Sequence, residues 1–177
     1  MTSKNVEKTK KLVISALMLA IGWLLPLLTG QLPSLGTMLC PMHLPVMVGG
    51  FVLGPIYGLV LGFITPLTRS LIFGMPVMYP TALGMAFELA AYGFFCGYFH
   101  NLFRKTKYLR TYGTLVISML FGRMVWGAAR LIMLGIAQTP FTWQMFITTE
   151  FVMAWPAIVI QLLIVPPLVN ALHKMQI

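Results

Sequence analysis

Six side chains that can be charged stand inside stretches that are otherwise apolar: Arg69, Arg123, Arg130, Glu88, Glu150 and His43. A charge at the centre of a membrane helix costs about 2.5–3.5 kcal/mol on insertion scales, so each of these residues is expected to face a partner, a cavity or a ligand. Their chemistry is that of recognition. A guanidinium takes a carboxylate or phosphate through paired N–H donors, and a carboxylate accepts from hydroxyl and amine groups. Bond-making chemistry has no comparable signal, because the chain carries no G-x-x-x-x-G-K-[ST] phosphate loop, no paired carboxylates in an aqueous loop and no Ser/His/Asp spacing. The chain is therefore not expected to be an enzyme. His43 has no neighbouring His or Cys cluster, so no metal is expected, and Cys40 and Cys96 read as two buried thiols without a disulfide.

The elements that must position these groups are membrane spans. With 177 residues, 59% hydrophobic and 8% charged, the composition is that of an integral membrane protein. The net charge of +9 is split into short clusters beside apolar runs, which suits anionic lipid headgroups and not nucleic acid. Apolar runs at about 12–28, 38–53, 56–73, 81–103, 112–137 and 146–172 predict an all-α bundle of six transmembrane helices forming one domain over 1–177. The second run is short for a crossing, so it is expected to tilt in from Met38 or to be partly re-entrant. Nine of the twelve basic residues then fall on one side: Lys4, Lys8, Lys10, Lys11, Arg104, Lys105, Lys107, Arg110 and Lys174. Lys and Arg concentrate in cytoplasmic loops, so both termini are expected to be cytoplasmic, and the N-terminal run to be a retained span rather than a signal peptide. Gly50, Gly54, Gly58 and Gly62 recur every four residues, as do Gly93 and Gly97, a spacing that lets helices approach closely.

Depth sorts the embedded residues. Arg69 lies ~6 Å and Glu88 and Arg130 each ~10 Å below the outer ends of their spans at the α-helical rise. His43 and Glu150 fall in the same outer half, and Arg123 lies one heptad deeper than Arg130. Arg69 with Glu88 and Arg130 with Glu150 are either structural ion pairs or ligand contacts. Three embedded arginines against two glutamates leave one positive charge, which a carboxylate ligand would neutralise. His43 reads first as a hydrogen-bonded packing residue. Trp126, Trp143, Trp155, Tyr79 and Tyr92 could stack on a ring; Trp143 and Tyr79 fit mainly the interfacial aromatic belt, and Trp126, between Arg123 and Arg130, is the better pocket wall. The candidate ligand contacts are thus Arg69, Glu88, Arg130, Arg123, Trp126, His43, Tyr79 and Glu150. Gln161 and Asn170 read as helix-to-helix hydrogen-bonding residues. The apolar outer loops around Leu35 and Met78 read as lids.

Near the start of the first span stands Ser15-Ala16-Leu17-Met18-Leu19-Ala20, with two alanines on one helical face. It resembles the AxxxA motif of the substrate-binding S components of energy-coupling factor (ECF) vitamin transporters. The layout is similar as well: six spans in under 200 residues, a long uncharged outer loop after the first, and Gly54-Pro55-Ile56-Tyr57-Gly58 at the second turn. The resemblance implies a subunit in a prokaryotic cell membrane that captures a small water-soluble vitamin from outside. A transmembrane coupling subunit and two cytoplasmic ATPase subunits would drive uptake, so ATP is used by the partners and no cofactor is bound by this chain. It also implies that Ala16 and Ala20 face the coupling subunit. Pantothenate is the leading expectation, because its carboxylate matches the surplus arginine and its hydroxyls suit Glu88; a vitamin B6 vitamer is the alternative, and riboflavin, thiamine and biotin remain open. Two other classes compete with this reading: a structural or assembly membrane subunit, in which the Arg/Glu set only joins helices, and a stand-alone secondary transporter, which the lack of internal repeats disfavours.

Overall fold

The protein is described by a computed structural model covering residues 3–28, 38–103, 110–136 and 142–174. Every regular element among the described residues is helical. These are α1 (Ser3–Leu28), α2 (His43–Leu53), α3 (Pro55–Phe73), α4 (Leu83–Leu102), α5 (Tyr112–Ile136), α6 (Trp143–Ile147) and α7 (Trp155–Lys174). A π-helical turn, Met78–Ala82, leads into α4, and a second, Thr148–Met153, joins α6 to α7. The expected loops around Leu35, at Arg104, Lys105 and Lys107, and just beyond residue 136 lie outside the described residues.

Five of these stretches, Asn5–Leu27, Pro55–Phe73, Met78–Leu102, Tyr112–Ile136 and Trp155–Lys174, are long and apolar enough to cross a membrane. Their outward surfaces agree, with side chains such as Leu71, Ile136 and Leu163 more than two-thirds exposed; an array of this kind is suited to lipid. α2 differs. Its 11 residues rise ~16 Å, about half of a hydrocarbon core. It can be short because other helices enclose it: α1, α3, α4 and α7 all pack on it, and Val46, Met47 and Val48 are at most 1% exposed. A chain that leaves helical geometry at membrane depth is tolerated where protein covers it.

The differences from the expected boundaries have local causes. α1 begins nine residues before the apolar run, since Glu7 and Lys11 pair one turn apart at 3.0 Å and five of those nine residues are Lys or Glu, which are good helix formers. The second run is not one continuous helix from residue 38: Met38 and Leu39 are helical, but Cys40 sits at φ 43° and breaks the run, and His43 then opens α2, its N–H donating to the Cys40 carbonyl at 3.0 Å. The last run is divided by a π-helical turn that ends at Ala154, and Pro156, which has no N–H to donate, falls in the first turn of α7. Gly54, at φ 95°, turns the chain from α2 into α3 with Pro55 at the first helical position, and Gly74, at φ 69°, caps α3. Both backbone angles disfavour a side chain with a Cβ.

The expected glycine spacing is a packing seam. Gly50 and Gly58 lie against the backbone of Gly93, Gly62 lies against Leu89 and Ala90, and Gly97 lies against Gly54 and Pro55. This seam brings α2 and α3 onto α4, and the α3–α4 contact is the most extensive in the bundle. α1 runs antiparallel to α2, with Gly22 near Pro45 and Met18 near Gly49. At one end of the bundle His100 of α4 stacks on His173 of α7 at 5.1 Å and meets Phe51 of α2 edge-on. The C-terminal ends of α2, α4 and α7 therefore share that end with the basic start of α1.

Candidate functional site

The opposite half of the bundle holds the embedded charges, and each reaches its place for a local reason. His43 is the first residue of α2 and is 4% exposed. α4 presents Glu88 and, one turn on, Tyr92 toward it, because the neighbouring face of α4, Leu89 to Gly93, is taken up by the seam with α3. The result is a pair in which His43 Nε2 lies 3.6 Å from Glu88 Oε1, with the Tyr92 ring 5.4 Å from the imidazole and its side chain close enough to interact with Glu88. Gly122 on α5 makes room for Tyr92, since a Cβ there would overlap the phenol ring. The other imidazole nitrogen, Nδ1, is buried without a hydrogen-bond partner.

A second group lies between α5 and the Thr148–Met153 turn. Arg123 Nε donates to the Glu150 main-chain carbonyl at 2.8 Å and lies 3.7 Å from its Oε2, while the guanidinium sits 5.5 Å from the centre of the Phe151 ring. A π-helical turn carries more residues per turn than an α-helix, so it swings Glu150 and its carbonyl toward Arg123. Glu150 and Glu88 lie within electrostatic range of each other, and the half-buried Cys40 lies within range of both.

The third group is at the outer rim. Arg130, 5.2 Å from the centre of the Trp126 ring, is half-buried, and its Nε and Nη1 have no hydrogen-bond partner. Tyr79 is half-exposed, and its hydroxyl donates to the Met133 carbonyl at 2.7 Å, tying the start of α4 to α5.

Both expected ion pairs come out differently. Arg69 does not pair with Glu88. Gly74 folds the chain back over the last turn of α3, so the Arg69 Nη1 donates to the Met75 carbonyl and the guanidinium packs on Phe73 at 5.4 Å. Glu88 faces α2 and takes His43 instead, and Glu150 takes Arg123 rather than Arg130. Of the eight candidate contacts, Glu88, His43, Arg123, Glu150, Arg130 and Trp126 form one continuous array across α2, α4, α5 and the Thr148–Met153 turn; Tyr79 borders it, and Arg69 is turned to its own loop. Tyr92, 1% exposed, belongs to the array more centrally than its reading as one aromatic among five suggested. The signal was its position one turn after Glu88, on the same face. Trp143 and Trp155 are more than 60% exposed and fit the belt. Gln161, 2% exposed, is buried inside the bundle, whereas Asn170 is exposed. Among the described residues no group of three metal-ligating side chains occurs, and an open depression lined by Thr142, Gln144, Met145, Thr148, Thr149 and Met153 contains none of the charged residues.

Such an array can hold a small polar molecule: carboxylates and an imidazole for donors, guanidinium for an anion, and aromatic faces for a ring. A search of curated proteins and of solved structures finds no significant match to the chain. The profile of one family, described as ECF transporter, substrate-specific component, matches residues 10–169, nearly the whole of the chain and all the helices that carry the array. This multi-pass, all-helical membrane protein belongs to the family of substrate-specific components of ECF transporters.

Proposed function

We propose that this substrate-specific subunit captures a small water-soluble vitamin from outside a prokaryotic cell, with pantothenate as the best candidate, and hands it to an ATP-driven importer. One observation supports the reading above the others. Two carboxylates, an imidazole and two arginines are gathered with Trp126 and Tyr92 in one half of a lipid-facing bundle. Embedded groups of this kind are costly, and holding helices together needs far fewer of them. The Glu88–His43 pair offers acceptors for the hydroxyls of pantothenate, and the arginines suit its carboxylate. A vitamin B6 vitamer is the second reading, supported by the aromatic faces of Tyr92 and Trp126 beside Glu88. Met78 and its turn at the head of α4 would cover the ligand. The whole chain would act as one membrane domain of six crossings, α2 completing the second with its flanking residues, and both termini would be cytoplasmic.

The partners in this proposal are a transmembrane coupling subunit and two cytoplasmic ATPases, which supply ATP hydrolysis. Ala16 is exposed and Ala20 half-exposed on α1, which leaves the small-residue face free to meet the coupling subunit. The deciding experiment is to purify the chain in detergent, release what is bound and identify it by mass spectrometry, followed by titration of the emptied protein. A stoichiometric vitamin is the expected result. An empty protein that also ignores a full vitamin panel would shift the reading to a structural subunit.

A further inference from the structure

We propose that Arg130 is the anchor for an acidic group on the ligand, and that the ligand is therefore an organic acid that lies along Trp126. The proposal rests on the reading of this chain as a vitamin-binding subunit. It follows from accounting for every carboxylate side chain. The chain has three acidic residues, Glu7, Glu88 and Glu150. Glu7 pairs with Lys11 on the exposed start of α1, Glu88 lies against His43, and Glu150 is bound by Arg123 through both its main chain and its side chain. Of the three embedded arginines, Arg69 is committed to the Met75 carbonyl and Arg123 to Glu150. Arg130 remains. Glu150 attracts it, yet lies beyond ion-pair distance, and no further glutamate or aspartate exists anywhere in the sequence to serve it. Two guanidiniums, Arg69 and Arg130, thus stand without a carboxylate; Arg69 is turned to its own loop, donating to the Met75 carbonyl and packing on Phe73, whereas Arg130 borders the array beside Trp126, with both Nε and Nη1 lacking a partner.

The side chain is also held ready. Gly84 on α4 brings that helix so close that an added Cβ would stand 3.4 Å from Arg130 Cδ and from Met133 Cε, and 3.7 Å from Trp126 Nε1. The Tyr79 hydroxyl, bound to the Met133 carbonyl, fixes the same stretch of α5 one turn away. A stem confined by Gly84 and by the indole loses little further freedom when its head binds an anion, which is the condition for tight recognition. The N–H groups on Nε and Nη1 are without acceptors, and a guanidinium can donate through paired N–H groups to both oxygens of a carboxylate.

The test compares wild-type protein with R130Q in detergent, using acids and their neutral counterparts: pantothenate with panthenol, nicotinate with nicotinamide, and biotin with biotinamide. Affinity is read by calorimetry and by tryptophan fluorescence. One acid is expected to bind the wild type, to bind R130Q roughly 10- to 100-fold more weakly, as for a hydrogen-bonded charge, and to outcompete its neutral counterpart only in the wild type. R130Q is expected to stay monodisperse, since it leaves no carboxylate unpaired; should it aggregate, R130K keeps the charge without the fork and should weaken the acid about 10-fold. An acid that binds both proteins equally, or a neutral vitamin that binds the wild type as tightly as any acid, overturns the assignment of Arg130 while leaving the vitamin-binding reading in place. A wild type that binds neither acids nor neutral compounds overturns both. Loss of phosphatidylglycerol retention by R130Q in nanodiscs, with phosphatidylcholine unaffected and no change in acid binding, assigns Arg130 to a lipid phosphate and overturns the proposal.

Discussion

Replacing Gly62 by alanine should loosen the bundle and disturb the site together. A Cβ at this position would overlap the carbonyl of Leu89 and stand 2.6 Å from the Ala90 nitrogen, and all of these obstacles are main-chain atoms of α4. No side chain can rotate away to relieve the contact, so α3 and α4 must separate by ~1 Å along the seam that Gly58 and Gly93 continue. Overpacking of this kind costs about 1–3 kcal/mol, and a clash between two backbones belongs at the upper end. For a chain of this size that corresponds to a melting point lower by about 6–12 °C. Glu88 directly precedes the displaced residues, so the 3.6 Å approach to His43 is lost with the seam, and ligand affinity should fall as well. Gly135 is the control: a Cβ there meets nothing within 4 Å, and alanine is favoured over glycine in a helix by about 0.8–1 kcal/mol. The measurement is thermal unfolding in detergent followed by size-exclusion chromatography, with ligand titration of the surviving fraction. A Gly62→Ala protein that melts with the wild type would refute the argument, because it would mean that the two helices are not in backbone contact.

Arg123→Gln leaves the Glu150 carboxylate buried without its partner and should cost about 3–5 kcal/mol, whereas the Arg123→Gln/Glu150→Gln double variant should regain part of that loss; strictly additive melting shifts in the four-protein cycle would show that the two residues do not interact. Ala16→Leu with Ala20→Leu should leave ligand binding by the isolated chain unchanged and abolish ATP-driven uptake by the reconstituted transporter, and equal loss of both would remove α1 from the coupling interface. Gly74→Val imposes a β-branched residue at φ 69°; it should destabilise by about 1–2 kcal/mol and release Met75 from Arg69, detectable as faster proteolysis between Phe73 and Pro80, and unchanged cleavage would count against the role given to Arg69.

Much of the fold was legible because the period and length of apolar runs report burial in lipid directly. The helices α3, α4 and α5 begin and end within two residues of their expected bounds, and the glycines expected at helix contacts make them. What escaped is specific. The break at Cys40 depends on one left-handed residue that no apolar pattern marks, and the polar start of α1 is helical through pairing rather than hydropathy. The shortness of α2 was visible, but that it could lie enclosed by four other helices was not, since enclosure depends on how they pack.

The site divides in the same way. The residue types and their depth were determined by the sequence, because a charge in an apolar run is costly wherever that run lies, and because counting three arginines against two glutamates needs no coordinates. Which charge meets which was decided by tertiary structure alone. Residue spacing assumes one helical period, and a π-helical turn at Glu150 and a reversal at Gly74 each rotate a partner out of that register. Arg123 thereby gained Glu150, Arg69 gained a main-chain carbonyl in its own loop, and Arg130 was left beside the array with neither. The surplus charge is a property of composition. Its address is a property of helix rotation and close packing, which involve residues far apart in the chain.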